Sequence, residues 1–322
     1  MYNNKYLIPE WRTAPKVAIR DGVGQGLLKL GAEHQDVVVL TADLAESVRV
    51  REFAEMYPER FFDVGVAEQN MAGVAAGMAF EGLVPFMASY ATFNPGRNWE
   101  QIRVSVALSK ANVKIIGAHA GVATGVNGPS HQATEDMALM RVLPNMVVLV
   151  PADATQAEGA ILAAYEHQGP VYIRSTRPDT PNFTKPGELE VGKAYVYREG
   201  RDITICACGI QVWESLMVAD ELAKEGVECE VMNVSSIKPL DQATIVESAK
   251  KTGRVVTIED HQIAGGMGSA VAELLSEKYP VSVKRIGIND QFGMSGNTEE
   301  VYRRMGIDQA SIKMAVVDYL HE

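Results

Sequence analysis

Phe61-Phe62-Asp63-Val64-Gly65-Val66-Ala67-Glu68-Gln69-Asn70-Met71-Ala72-Gly73-Val74-Ala75-Ala76-Gly77-Met78 changes its period halfway along. Residues 61–66 read as a strand, residues 68–78 as a helix of small side chains, and an acid stands at the junction. The same alternation recurs upstream and downstream. Strands are expected at 37–40, 113–117, 146–150 and 171–174, with helices at 20–30 and 154–167. Short β-branched runs separated by helical segments are the pattern of a parallel sheet covered on both faces, so the fold class is α/β. Residues 176–187 carry Pro178, Pro181 and Pro186 with few apolar side chains, which predicts an interdomain linker. Beyond it, strands at 203–207, 230–234, 255–259 and 281–286 and helices at 213–225, 242–251 and 268–278 predict a second, smaller α/β domain. The expected domains are 1–187, linker included, and 188–322.

Composition agrees with two cores. The chain has 322 residues, 47% hydrophobic and 22% charged, and a domain takes roughly 150 residues. Its 30 Lys+Arg against 41 Asp+Glu give a formal charge of -11, with no basic block to follow a nucleic-acid backbone. Residues 1–12 are polar and broken by Pro9, and no run of 18 apolar residues occurs, so neither a secretory signal nor a membrane partner is expected. The chain reads as a soluble cytoplasmic protein. Cys206, Cys208 and Cys229 read as buried strand thiols, because C-x-C without a second ligand cluster is a weak metal signal.

Ligands of open α/β sheets gather where strand carboxyl ends meet the following helices. Three junctions there carry chemistry. Glu68 could simply be a carboxylate stabilised by a helix N-terminus, or a proton-holding group in a poorly hydrated pocket. The run from His119 to Gln132 holds two histidines, His119 and His131, in a Gly- and Pro-rich loop that can converge on one small ligand; the commoner role of a lone loop histidine is to bond a neighbouring carbonyl. Tyr90-Ala91-Thr92-Phe93-Asn94-Pro95-Gly96-Arg97-Asn98-Trp99 places aromatics at a turn, as packing or as a wall for a planar ring. Gly265-Gly266-Met267-Gly268-Ser269-Ala270 lacks the full dinucleotide pattern and reads as close helix–sheet packing.

With these residues in hand, the chain resembles the C-terminal half of the transketolase family: the pyrimidine-binding domain followed by the C-terminal domain of a thiamine-diphosphate enzyme. The resemblance lies in Thr41-Ala42-Asp43-Leu44, the stretch Asp63 to Gln69, Tyr90-Ala91-Thr92-Phe93, Gly128-Pro129-Ser130-His131-Gln132, and Leu143-Pro144-Asn145 leading into Val150-Pro151-Ala152-Asp153. It implies that Glu68 is the cofactor-activating acid, a protonated carboxyl bonded to the pyrimidine nitrogen. Phe93 and Tyr90 match walls of the aminopyrimidine pocket, and Asp43 an acid near the cofactor. His131 matches the histidine that binds donor oxygens and assists proton transfer. Arg20, Ser47, His119 and Arg177 match positions that hold a sugar phosphate, and Arg174 is expected to share that role. Asn127 stands where many relatives have an aspartate that reads a donor hydroxyl, so the usual pentulose preference does not transfer.

The resemblance further implies thiamine diphosphate bound through Mg2+. No Gly-Asp-Gly segment occurs here to ligate that metal. The expectation is a β-type subunit of a split transketolase, active with a separate N-terminal, pyrophosphate-binding subunit, as two copies of each chain with the helix 71–78 near the symmetry axis. Its reaction would move a two-carbon ketol unit from a ketose phosphate to an aldose, within pentose-phosphate carbohydrate metabolism. The alternatives are the β subunit of a 2-oxo-acid dehydrogenase first component, a deoxyxylulose-phosphate synthase and a non-catalytic regulatory homologue.

Overall fold

Two mostly parallel sheets, each flanked by helices, divide the chain in the computed structural model, which describes residues 1–187 and 189–322. The domain boundary expected at Glu188 falls on the residue outside that set. Strands are numbered in chain order. A short ribbon pairs β1 (Lys16–Ala18) with β8 (Asp179–Pro181). The first sheet holds β2 (Val37–Thr41), β3 (Phe61–Asp63), β4 (Val84–Tyr90), β5 (Lys114–Ala118), β6 (Val147–Leu149), β7 (Val171–Arg174) and an antiparallel edge, β12 (Ser236–Lys238). Their order is β12-β6-β7-β5-β4-β2-β3. The second sheet runs β14-β13-β10-β11-β9, made of β9 (Tyr195–Arg198), β10 (Ile203–Ala207), β11 (Cys229–Asn233), β13 (Val255–Gln262) and β14 (Val283–Ile288).

Strands β2, β4 and β5 are buried along their whole length, as expected of parallel strands covered on both faces. Strand β4 is central yet was not expected, because Pro85 interrupts its pattern. Pro85 is tolerated at the second position, where the strand loses one ladder donor near its start. Strand β3 ends at Asp63 rather than 66, since Asp63 Oδ1 accepts the backbone N–H groups of Asp43 and Gly65, both at 2.9 Å, and turns the chain. The helices Thr298–Met305 and Gln309–His321 also went unpredicted.

The proline-rich segment after β7 lies packed on the first domain. Phe183 is fully buried, and Asp153 gathers the segment in. Its carboxylate accepts the N–H groups of Gln156 (2.9 Å), Phe183 (2.8 Å) and Thr184 (2.7 Å), together with the Thr184 hydroxyl at 2.7 Å. One side chain therefore caps the helix Ala154–Glu166 and anchors the linker. The three cysteines are free and buried, and burial pushes the Cys206 and Cys229 thiols up to about 12. In the glycine loop, the N–H groups of Met267 and Gly268 donate to Glu259 at 2.7 and 2.9 Å, so a side chain of the chain itself fills the place a bound anion would take.

Asp153→Ala strands four buried donors. It should destabilise the protein by about 3 kcal/mol or more, read as a lowered urea midpoint, with Asp153→Asn losing less.

Candidate active site

The carboxyl ends of β2 to β5 converge on one cluster. Glu68 opens the helix Glu68–Phe80 and is 1% exposed. Its Oε2 accepts Arg97 Nη1 at 2.6 Å, and its Oε1 accepts the Ser89 hydroxyl of β4 at 3.4 Å. The turn after β4 is fixed by two buried amides. Asn94 Nδ2 donates to the carbonyls of Met87 (3.2 Å) and Ile116 (3.1 Å), and Asn98 Nδ2 donates to Asn94 Oδ1 and to the Glu68 carbonyl, each at 3.1 Å. A Cβ on Gly96 would come within 2.1 Å of the Thr92 carbonyl oxygen, so only glycine closes this turn.

Rings cluster beside this turn. Tyr90 stacks on His119 at 3.9 Å between centroids and lies near parallel to Phe93 at 6.1 Å. His131 meets Phe93 edge-on at 5.5 Å and Tyr90 at 6.0 Å, while its Nδ1 and the Ser130 hydroxyl are 2.9 Å apart. Arg97 Cζ stands 4.4 Å from the Phe93 centroid. Glu68, Tyr90, Phe93, His119 and His131, all expected from sequence, thus form one group.

A second group is cationic. Arg20, Arg49 and Arg177 all act on the His119 ring, which is pushed down to about 3, first by burial and then by Arg20, Arg177, His131 and Arg49. Burial, and after it Arg49, also draws Arg20 below the usual guanidinium range. The buried Nδ1 of His119 and Nε of Arg20 have no hydrogen-bond partner among the described residues. Ser47 joins through its backbone, its carbonyl accepting Arg20 Nη1 at 2.8 Å. Asp43 and Asn127 are exposed.

Arg174 does not join this cationic group. It is buried away from it, with Nε on Asp136 Oδ2 at 2.9 Å and Nη2 on the Asp260 carbonyl at 2.7 Å. Strand alternation gave its face but not the buried carboxylate waiting there. Sequence reasoning also passed over Arg97 and Arg49. The available signal for Arg97 was an isolated cation inside an aromatic turn facing the Glu68 junction.

The site is therefore a buried carboxyl and a set of rings at the strand ends of a doubly wound domain, braced by a smaller α/β domain. Residues 15–182 match the transketolase pyrimidine-binding domain and residues 192–312 the transketolase C-terminal domain. The chain belongs to the transketolase family. It is 43% identical over 304 residues to a putative transketolase C-terminal section of Methanocaldococcus jannaschii, covering 93% of this chain and 95% of that one. It is 41% identical to the 6-deoxy-6-sulfo-D-fructose transketolase subunit SqwH of a Clostridium species, covering 92% of each. Among solved structures, a split-gene transketolase described as an inactive beta4 tetramer superposes with a TM-score of 0.87 at 44% identity, covering 95% of this chain and 99% of that one. The transketolase of Campylobacter jejuni shares the fold, with a TM-score of 0.80 at 24% identity over 96% of this chain and 49% of its own.

The His119 geometry sets a pH dependence. An unfolded histidine binds its proton near pH 6.5, the folded His119 only at about 3. Between those values the unfolded state carries more protons, so this group makes stability fall as pH falls. His119→Gln should therefore lose less stability than the parent between about pH 6.5 and about pH 4, measured as urea midpoints across that range.

Proposed function

We propose that the chain is the β-type subunit of a split transketolase and supplies the aminopyrimidine and sugar-binding side of a thiamine-diphosphate site. The observation that carries this reading is the buried Glu68 carboxyl at the strand ends, linked through Arg97 to Phe93, which lies near parallel to Tyr90. Its acidic edge and flat apolar face suit the nitrogen and ring of an aminopyrimidine. Relatives of matching length bear names of a section or a subunit, which supports a separate chain for the diphosphate and Mg2+. Among the described residues no group of three or more His, Cys, Asp or Glu side chains could hold a metal ion.

Bound thiamine diphosphate supplies the carbon centre that receives a two-carbon unit and hands it on. Glu68 holds a proton at its carboxyl oxygen toward the pyrimidine nitrogen, and Ser89 fixes the other oxygen. Phe93 and Tyr90 exclude water from the ring, and the exposed Asp43 supplies an acid near the cofactor. Neutral His119 offers its unpartnered Nδ1 to a sugar oxygen, and His131 moves a proton at the donor hydroxyl. Asn127 reads a hydroxyl as an amide. Arg20 and Arg177, joined by Arg49, take the anionic end of the sugar, and Ser47 holds Arg20 in place. Relatives named for 6-deoxy-6-sulfofructose and for apulose 4-phosphate act on sugars with an anionic group, which agrees with this cationic set. The substrate class is therefore a ketose carrying a phosphate or similar anion, with an aldose as acceptor. The exposed Gly73 and Gly77 on the helix Glu68–Phe80 leave open space where side chains would stand, a face suited to close packing in an assembly with two copies of each chain.

Glu68→Gln in the pair reconstituted with a Gly-Asp-Gly-bearing partner should lose turnover by about 10²-fold or more while the fold is kept. Near-normal turnover would defeat the assignment. Assays on a ketose phosphate and a 2-oxo acid in parallel separate this reading from the dehydrogenase alternative. Arg177→Ala should lower kcat/KM for phosphorylated ketoses by about tenfold or more, the loss of one charge-assisted contact, and leave unphosphorylated ketoses nearly unchanged.

A further inference from the structure

The guanidinium of Arg97 makes both contacts that the proposed function gives to the aminopyrimidine. Nη1 donates to Glu68 Oε2 at 2.6 Å, and Cζ lies 4.4 Å from the centroid of Phe93. A guanidinium is flat and cationic with an N–H edge. A 4-aminopyrimidine bonded through the Glu68 proton is likewise flat, gains cationic character as it takes up that proton, and then presents an N–H edge. Two such groups cannot occupy one carboxylate oxygen and one ring face together.

The exposures of the two partners are unequal. The Glu68 side chain is 1% exposed, whereas that of Arg97 is 45% exposed. A buried carboxylate without a partner is costly, so the pair satisfies Glu68 as long as nothing else does. Arg97 reaches in from the solvent side and regains hydration if it leaves. Its backbone sits on the turn that Asn94 and Asn98 fix, so the side chain can move while the turn stays.

We infer that Arg97 is a stand-in for the aminopyrimidine: it occupies the pocket between Glu68 and Phe93 until the cofactor ring displaces it into solvent. This rests on the reading of Glu68 and Phe93 as the ring-binding pair. It makes cofactor binding a competition, in which apparent affinity is reduced by the fraction of pockets that Arg97 fills.

The test is titration of thiamine diphosphate, with magnesium, into the reconstituted two-chain complex, followed by quenching of aromatic fluorescence. Arg97→Ala and Arg97→Met should bind about tenfold more tightly than the parent. Millimolar methylguanidinium should compete with the cofactor in Arg97→Ala and leave the parent unaffected. In the unmodified protein, phenylglyoxal should label Arg97 faster once cofactor is added, read by peptide mass spectrometry, because the side chain has been expelled. Unchanged or weaker binding in the Arg97 variants, or protection of Arg97 from labelling, would overturn the inference if Glu68→Gln and Phe93→Ala still weaken cofactor binding. Should those two variants bind cofactor like the parent, the reading of the pocket itself fails, and the stand-in role with it.

Discussion

The Asp260 carboxylate, carried on β13 of the second domain, gives the first domain's histidine loop its shape. It accepts the N–H groups of Val122 (2.9 Å) and Ala123 (3.2 Å) and the Tyr302 hydroxyl at 3.2 Å. Gly121 is the point of closest approach: its φ is +79°, and a Cβ there would meet Asp260 Oδ2 at 2.2 Å. Behind it, Arg174 bridges the Asp260 carbonyl and Asp136, which also accepts the Tyr172 hydroxyl at 2.7 Å. Burial raises the Asp260 carboxyl above the usual range, while Arg174 and the two N–H groups pull the other way. Two carboxylates and a guanidinium taken out of water persist only when each is paired and hydrogen-bonded. Thr298 and Gln132 add further links, through the Ala123 carbonyl at 3.0 Å and the Met294 carbonyl at 2.9 Å. The second domain therefore braces the segment that carries His119, Asn127 and His131.

That brace also marks where sequence reading stops. Period and β-branching placed β7 and β10 at their observed bounds and the helix at Glu68 at its observed start, because those signals are local. Strand β4 was hidden by one proline. The edge strands β9 and β12 were hidden because antiparallel partners are set by tertiary contact. Residue type at strand–helix junctions singled out Glu68, Tyr90, Phe93, His119 and His131 as candidates with a structural alternative for each, and the structure brings the four rings together and joins Glu68 to Phe93 through Arg97. Arg174 was misplaced and Arg97 passed over for one reason: the destination of a long cationic side chain depends on which carboxylate lies within reach, and reach is a property of the folded chain.

Charge is distributed to the same end. A chain of net charge -11 collects Arg20, Arg49 and Arg177 around one ring. Burial first, and then these cations, keep His119 neutral, so the ring offers one donor and one acceptor rather than a fourth positive charge. An anion entering there meets guanidinium groups for its charge, while an adjoining hydroxyl meets a neutral imidazole for direction.

Rigidity is unevenly divided across this surface. Tyr90 and the Glu68 backbone are fixed by strand ends and by the Asn94–Asn98 relay, and the histidine loop is fixed by Asp260. Among the described residues that touch Glu68, Arg97 alone combines a half-exposed side chain with a buried partner. An ion pair with one end in water loses little when that end is withdrawn, because the guanidinium is rehydrated and only the acid needs a new donor. The wall is thus built to keep its shape while one side chain exchanges. A preorganised pocket requires a fixed ring and carboxyl, and an unliganded buried carboxyl requires a removable partner. Arg97 satisfies the second requirement without disturbing the first.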